Sequence, residues 1–243
     1  MENVELHENT ASGMDSEQTL VSASWLNLLF SRVAPAAIFL LLLIPKITHL
    51  VNFLWSPKGN DLQHGRFAFY VAASSQVSVI LFLLLMIVLC IVRTPPIKKA
   101  QGIFPRITAV VGTFLMSIIT IFPKPNLPLW GTIAATLLTL LGAVFSTYVL
   151  ARLGRSFSVM AEARNLVTTG PYTIVRHPLY LAEEFAMLGA TLQFLSPFAV
   201  LIFVIHLLVQ IQRMKNEEAV LRQVYPEYLA YQQRTARLIP TVY

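Results

Sequence analysis

Residues 67–92 read FAFYVAASSQVSVILFLLLMIVLCIV, an unbroken run without one formal charge. It lacks the apolar–polar alternation of a transmembrane β-strand. As a helix rising 1.5 Å per residue it is long enough to cross a hydrocarbon core of ~30 Å. Further apolar blocks stand at 33–44, 107–122 and 129–150. Hydrophobic residues make up 56% of the 243-residue chain and charged residues only 12%. A soluble domain carries about twice that charged share. The mean hydropathy of +0.64 agrees. The expected fold is all-α: a polytopic integral membrane protein, one membrane domain of about five to six helices ending in a helical hairpin.

Working outward, the first helix is expected over 33–54, with Pro45 inside it and an interfacial stretch at 25–30 before it. A loop at 55–66 leads to the second helix at 67–92, which ends at Arg93 and Pro95-Pro96. The third is expected over 107–122, stopped by Pro123, Pro125 and Pro128, and the fourth over 129–150. Two shorter apolar helices follow at 179–194 and 198–213, broken at Ser196-Pro197, the second running out of the membrane toward Tyr225. Residues 1–21 are polar and acidic and are expected to form a flexible tail; no basic segment precedes an apolar run, so they do not read as a signal peptide. The parts are then the tail, membrane helices over 22–152, and a C-terminal region over 153–243 that continues the same membrane domain. Cys90 is the single cysteine, inside an apolar block, and reads as packing.

The net charge of +6 does not point to nucleic acid, because the basic residues are scattered through the loops between membrane blocks. If every block spans, one side collects Arg32, Arg93, Lys98, Lys99, Arg106, Arg152, Arg155, Arg164, Arg176, Arg213, Lys215, Arg222, Arg234 and Arg237, fourteen of the eighteen basic residues. The other side holds Lys46, Lys58, Arg66 and Lys124. The positive-inside rule then puts both termini and the C-terminal loop in the cytosol.

That loop, 164–183, reads RNLVTTGPYTIVRHPLYLAE. Gly170-Pro171 is a turn signature. His177-Pro178 forces an extended residue and then offers Pro178 as the first residue of a helix. The free N–H groups of that first turn suit an anionic or hydrogen-bonding ligand; an Arg-His pair anchoring a helix at the membrane interface is the plainer alternative. Arg213 and Glu217, four apart, share a helix face. Lys215, Glu218 and Arg222 read as surface ion pairing on the same helix. Glu183 and Glu184 enter an apolar helix, where carboxylates usually face a cavity or a partner. His206 reads as a packing histidine, and Asp61, His64 and Arg66 have no supporting constellation. No His/Cys/Asp spacing suits a metal. No Gly-x-Gly-x-x-Gly follows a strand, so any nucleotide-like cofactor is held without a Rossmann domain.

Taken in order, Leu166-Val-Thr-Thr-Gly170-Pro-Tyr172, Arg176-His-Pro-Leu-Tyr180, Arg213-x-x-x-Glu217-Glu218, Tyr225-Pro-Glu-Tyr-x-x-Tyr231 and Ile239-Pro240 resemble the isoprenylcysteine carboxyl methyltransferase family, which shares its signature with phospholipid N-methyltransferases. The resemblance covers about 153–240. It implies an integral membrane methyltransferase using S-adenosylmethionine from the cytosolic face. Val167, Tyr172, His177, Pro178, Leu179, Tyr180 and Glu217 would bind that cofactor. Arg213 would face the reacting group of a lipophilic or prenylated substrate drawn from the membrane lipid, and Arg213 and Glu217 would be the catalytic pair; Glu183 and Glu184 are substrate-facing candidates by their own position in an apolar helix, not by the resemblance. Two departures stand out: Ala182 replaces the usual Gly, and Glu183-Glu184 replace apolar or aromatic residues. Tyr180-Leu-Ala-Glu183 also partly resembles the signature of NADPH-dependent membrane sterol reductases, though Leu179 and the Arg-x-x-x-Glu-Glu element favour the methyltransferase. A carboxylate acceptor needs no general base. An amine acceptor would need one, which Glu183 or Glu184 could supply, so O- and N-methylation both stay open, as does a non-catalytic membrane protein with a degenerate site.

Overall fold

The computed structural model describes residues 29–55 and 65–240. The expected tail at 1–21, most of the interfacial stretch at 25–30, and Asp61 and His64 lie outside the described residues. The chain builds seven helices among those described: α1 (Ala34–Trp55), entered through a π-turn at Leu29–Val33, α2 (Arg66–Val92), α3 (Phe104–Phe114), α4 (Leu129–Leu153), α5 (Pro178–Gln193), α6 (Pro197–Val224) and α7 (Tyr228–Arg234). Five segments are long and apolar enough to cross a membrane: Ser31–Trp55, Arg66–Val92, Phe104–Ile121, Leu129–Ser156 and Pro197–Val224. The sixteen-residue α5 is about 24 Å long and folds back on α6 as the expected hairpin. Ser196 caps α6 by accepting a hydrogen bond from the Ala199 amide at 3.1 Å, with Pro197 in the first turn.

The boundaries differ where local chemistry overrides hydropathy. The third helix starts at Phe104 because Pro105 is tolerated in a first turn, and it tightens to a 3-10 helix at Leu115–Ile121 before the prolines that end it. The fourth runs to Leu153, where Gly154 at φ 53° stops it. Beyond Tyr225, where no helix was expected, the chain forms a further short helix, α7. A two-residue antiparallel ribbon, β1 (Lys98–Lys99) with β2 (Glu162–Ala163), was not legible; it pairs Lys98 with Ala163 and ties the α2–α3 connection to the chain leaving α4.

Small residues allow close helix contact, as membrane packing requires. Gly142 on α4 lies against the Ala186 backbone of α5, and Gly189 on α5 against Ala135 and Thr139 of α4. One apolar cluster joins α1, α2 and α4 through Phe39, Leu83, Met86 and Leu150; a second joins Met116, Ile119 and Ala199 toward the other end. Arg32 Nη1 and Arg155 Nε donate to the last-turn carbonyls of α2, at Ile91 (3.2 Å) and Val92 (3.0 Å), complementing the negative end of the helix dipole. These contacts gather the basic loops at one end of the bundle, the end that carries the 164–183 loop.

Candidate active site

Between the helices lies a cavity of about 1590 Å³. At the basic end its wall is made by the 164–180 loop, the start of α5 and one stripe of α6, with His206, Gln210, Arg213 and Glu217 all facing in. Of the residues singled out from sequence, Val167, Tyr172, His177, Leu179, Tyr180, Glu183, Arg213 and Glu217 line it. Pro178 does not; it is fully buried in the first turn of α5 and sets where that helix begins. Glu184 does not line it either. Consecutive helix residues point about 100° apart, so with Glu183 on the cavity wall Glu184 turns to α6, where Oε1 stands 3.1 Å from His206 Nε2, close but misaligned for a hydrogen bond.

Arg213 is buried and held on three sides. Its Nη1 donates to Gln210 Oε1 at 2.8 Å and its Nη2 to the Val159 carbonyl at 3.2 Å, and the guanidinium lies 5.1 Å from the centre of the Tyr180 ring. Its Nε is buried with no hydrogen-bond partner among the described residues. The simple Arg213–Glu217 ion pair allowed by their spacing is replaced by a relay through Tyr180, whose hydroxyl donates to Glu217 Oε1. His177 stands between the two acids, Nε2 3.2 Å from Glu218 Oε1 and Nδ1 3.9 Å from Glu217 Oε2. Glu217 remains partly exposed to the cavity.

Glu218 overturns its reading as a surface ion-pairing residue. It is 0% exposed. It accepts from Arg176 Nε (2.9 Å), Arg237 Nε (3.0 Å) and Nη2 (2.9 Å), and Gln232 Nε2 (3.0 Å). Only the Arg222 contact, at 3.5 Å, is the expected i,i+4 pair. Around this carboxylate the C-terminal segment is sewn onto the loop: the Arg176 amide donates to Ala236 O at 2.8 Å, the His177 amide to Arg237 O at 3.1 Å, and Arg176 Nη1 to Gln232 O and Thr235 O. The Tyr231 hydroxyl donates to the Tyr172 carbonyl at 2.6 Å. Burial pushes Tyr231 up to about 12 and lifts Tyr172 further above the ordinary phenol range, the charge of Glu217 adding to the second, so both are neutral donors at any working pH. Sequence reading missed this clamp, although one signal was present: Met214 and Glu218 are four apart, and the face they share points away from that of Arg213 and Glu217.

Two tests of this geometry follow. A Cβ at Gly112 on α3 would meet Arg213 Cδ at 2.5 Å and Gln210 Oε1 at 2.9 Å. Gly112→Val is therefore expected to displace the guanidinium, lowering turnover at least tenfold while ligand affinity at the Glu217 end holds; unchanged turnover in steady-state kinetics would show that Arg213 does not need its present seat. Separately, His206→Leu strands Glu184, and losing one member of a buried pair costs about 3 kcal/mol. Thermal melting should show that loss, and Glu184→Leu added to it should restore most of it. Equal melting of the single and double variants would mean the pair is not coupled.

This is the site of a helical membrane protein that places a carboxylate, a phenol, a histidine and a guanidinium on one cavity wall. Residues 130–228 match the phospholipid methyltransferase family model, a match that reaches back into α4 beyond the stretch whose motifs suggested it. The protein-S-isoprenylcysteine O-methyltransferase of Saccharomyces cerevisiae is 29% identical over 146 residues, covering 57% of this chain and 61% of that protein. The cobalt-zinc-cadmium resistance protein CzcN of Cupriavidus metallidurans is 32% identical over 114 residues, covering 45% of this chain and 52% of that protein. The chain thus spans between half and two thirds of the length of these curated relatives. A solved structure of the eukaryotic intramembrane Ras methyltransferase (isoprenylcysteine carboxyl methyltransferase) superposes with a TM-score of 0.43 at 17% identity, covering 88% of this chain and 96% of that one, a likeness too loose to bear on function. The resemblance read from the motifs is borne out by the family model and the yeast relative.

Proposed function

We propose that the protein is an S-adenosylmethionine-dependent methyltransferase of the membrane, acting on a carboxylate of an isoprenylcysteine-like or otherwise lipophilic acceptor. The observation that carries this reading is the shared wall: the Tyr180–Glu217–His177 group and the buried Arg213, with its unpartnered Nε, face one cavity between membrane helices. The cofactor would be held by Val167, Tyr172, His177, Leu179, Tyr180 and Glu217, with Pro178 fixing the start of α5. These residues suit it, since a partly exposed carboxylate and two tyrosine rings at the cavity match a cationic ligand. When bound, S-adenosylmethionine supplies an electrophilic methyl group on a sulfonium centre.

The chain's own residues do the rest. Arg213, fixed by Gln210 and Val159, presents its remaining N–H to the acceptor carboxylate and orients it. That carboxylate is already ionised at neutral pH, so positioning and electrostatics suffice. The apolar side chains among those lining the cavity, Phe82, Leu83 and Met86 for example, suit a lipophilic tail. The 14-to-4 distribution of basic residues supports a cytosolic site and cytosolic termini. Residues 153–243 would hold the cofactor with α4, and the helices of 22–152 would shape the acceptor's path. N-methylation of a phospholipid-type amine is the second reading, favoured by Glu183 at the cavity wall.

Calorimetric titration of the detergent-solubilised protein with S-adenosylmethionine, its demethylated product and NADPH tests the proposal. The first two are expected to bind, and Glu217→Ala should weaken them about 10- to 100-fold, the worth of a charged hydrogen bond. Binding of NADPH alone would replace the methyltransferase with the reductase.

A further inference from the structure

We propose that Glu183 sets the choice of acceptor by taking a free ammonium next to the carboxylate held by Arg213, so that the preferred acceptor is a lipophilic S-alkylated cysteine whose α-amino group is unblocked; this rests on the carboxyl-transfer reading above. Glu183 lines the cavity and is partly exposed there, with no hydrogen bond or ion pair to any of the described residues. The adjacent positions do not share this exposure: Ala182 is fully buried, and Glu184 turns to His206. The helix dipole does not account for a carboxylate here. α5 begins at Pro178, so Glu183 lies beyond the first turn, where the dipole fades. A carboxylate between membrane helices is costly and marks a place where a partner or a ligand meets it.

The surroundings of Glu183 say what it meets. Tyr180 and Glu183 are three residues apart and share a face of α5. The Arg213 guanidinium lies 5.1 Å from the centre of the Tyr180 ring, so Glu183 stands about 4.5 Å deeper along α5 than the Tyr180–Arg213 level. The charges that act on it are Arg213, Glu184, His206 and Glu217. Arg213 is turned to Gln210 and the Val159 carbonyl, and His206 stands against Glu184, so neither fills the place beside Glu183. Along α5 and α6 the cavity wall thus sets two carboxylates, Glu183 and Glu217, against one guanidinium. In the reading above Glu217 meets the cationic donor and Arg213 meets the acceptor's carboxylate. Glu183 remains, and its complement is a cation on the acceptor. An α-amino acid fits that spacing, because its ammonium is one carbon from its carboxylate and the two protein groups are one helical step apart. The ammonium is held and is not the atom methylated. A cysteine whose nitrogen is in a peptide bond has lost this charge, so the wall favours a free lipophilic amino acid over the carboxyl end of a protein.

Steady-state kinetics of the full-length protein in lipid vesicles test this with three acceptors: S-farnesylcysteine, its N-acetyl derivative, and S-farnesylthiopropionate, which keeps the carboxylate and has no nitrogen. The free amino acid is expected to have a kcat/KM about 30-fold above both others, mostly through KM, the effect of one charge-assisted contact. Glu183→Gln should bring the three acceptors to similar values while donor affinity by calorimetry is spared, and Glu183→Asp should keep part of the preference. A wild type that uses the N-acetyl compound as well as the free amino acid, or better, overturns the proposal without any variant having to fold, and leaves carboxyl transfer standing. A preference that persists in Glu183→Gln overturns the assignment to Glu183. Equal loss toward all three acceptors in that variant overturns it in favour of a packing role. Alkali-stable methyl on the nitrogen of the free amino acid, or no transfer to any of the three, overturns the carboxyl-transfer reading and the proposal together.

Discussion

Glu218→Ala is expected to lower stability by about 3–5 kcal/mol, the cost of stripping the partner from buried charges. Arg176 and Arg237 both reach this one carboxylate, and His177 stands 3.2 Å from it. Its loss leaves two guanidiniums facing each other across a closed pocket. The consequence is local before it is global. The C-terminal segment is held to the 164–180 loop through Arg176 and the Val175–Ala236 bridge, so the clamp and the cavity wall should loosen together. Thermal melting of the solubilised protein should fall sharply, and ligand affinity with it. Glu218→Gln keeps the size and one acceptor oxygen, and should fall between. A Glu218→Ala protein that melts like the wild type would mean that the clamp is dispensable.

Arg213→Ala should act on the other side of the balance, lowering kcat/KM for methyl transfer about 10²- to 10³-fold, the usual effect of removing one preorganised donor at a developing charge. Ligand affinity at the Glu217 end should be nearly spared, because Glu217 is reached through the Tyr180 hydroxyl and not through Arg213. Arg213→Lys should not rescue it. A single ammonium cannot donate to Gln210, to the Val159 carbonyl and to an acceptor in the planar directions a guanidinium commands. Retained turnover in Arg213→Ala would remove this residue from the chemistry.

Much of this was legible in the chain. The uncharged run at 67–92 announces a membrane helix without any further context, and Ser196-Pro197 marks the hairpin because a capping serine before a proline starts a helix almost wherever it stands. The loop residues from Val167 to Tyr180 could be singled out because polar, proline-punctuated sequence is out of place between apolar blocks. What stayed hidden depends on distant parts of the chain meeting. Glu218 looks like any charged residue near the end of a long helix until Arg176 and Arg237, 42 and 19 residues away, close on it. The orientation of Glu184 toward His206 depends on how α5 is rotated against α6, and α5 is seated by its close contacts with α4, at Gly142 of α4 and Gly189 of α5, rather than by any pattern around Glu184 itself. The β1–β2 ribbon is two residues long on each strand and has no periodicity to read.

The central claim is that this cavity transfers a methyl group to a lipophilic acceptor. The most direct measurement reconstitutes the protein in lipid vesicles with S-adenosylmethionine labelled in its methyl group and a farnesylated cysteine acceptor, and asks whether the label recovered in lipid is released by alkali. Alkali-labile label that disappears in Arg213→Ala is the expected result, because a methyl ester hydrolyses. Label that is stable to alkali would place the methyl on nitrogen and contradict carboxyl transfer, and the absence of any label in lipid from a protein that binds the donor would contradict the enzyme itself.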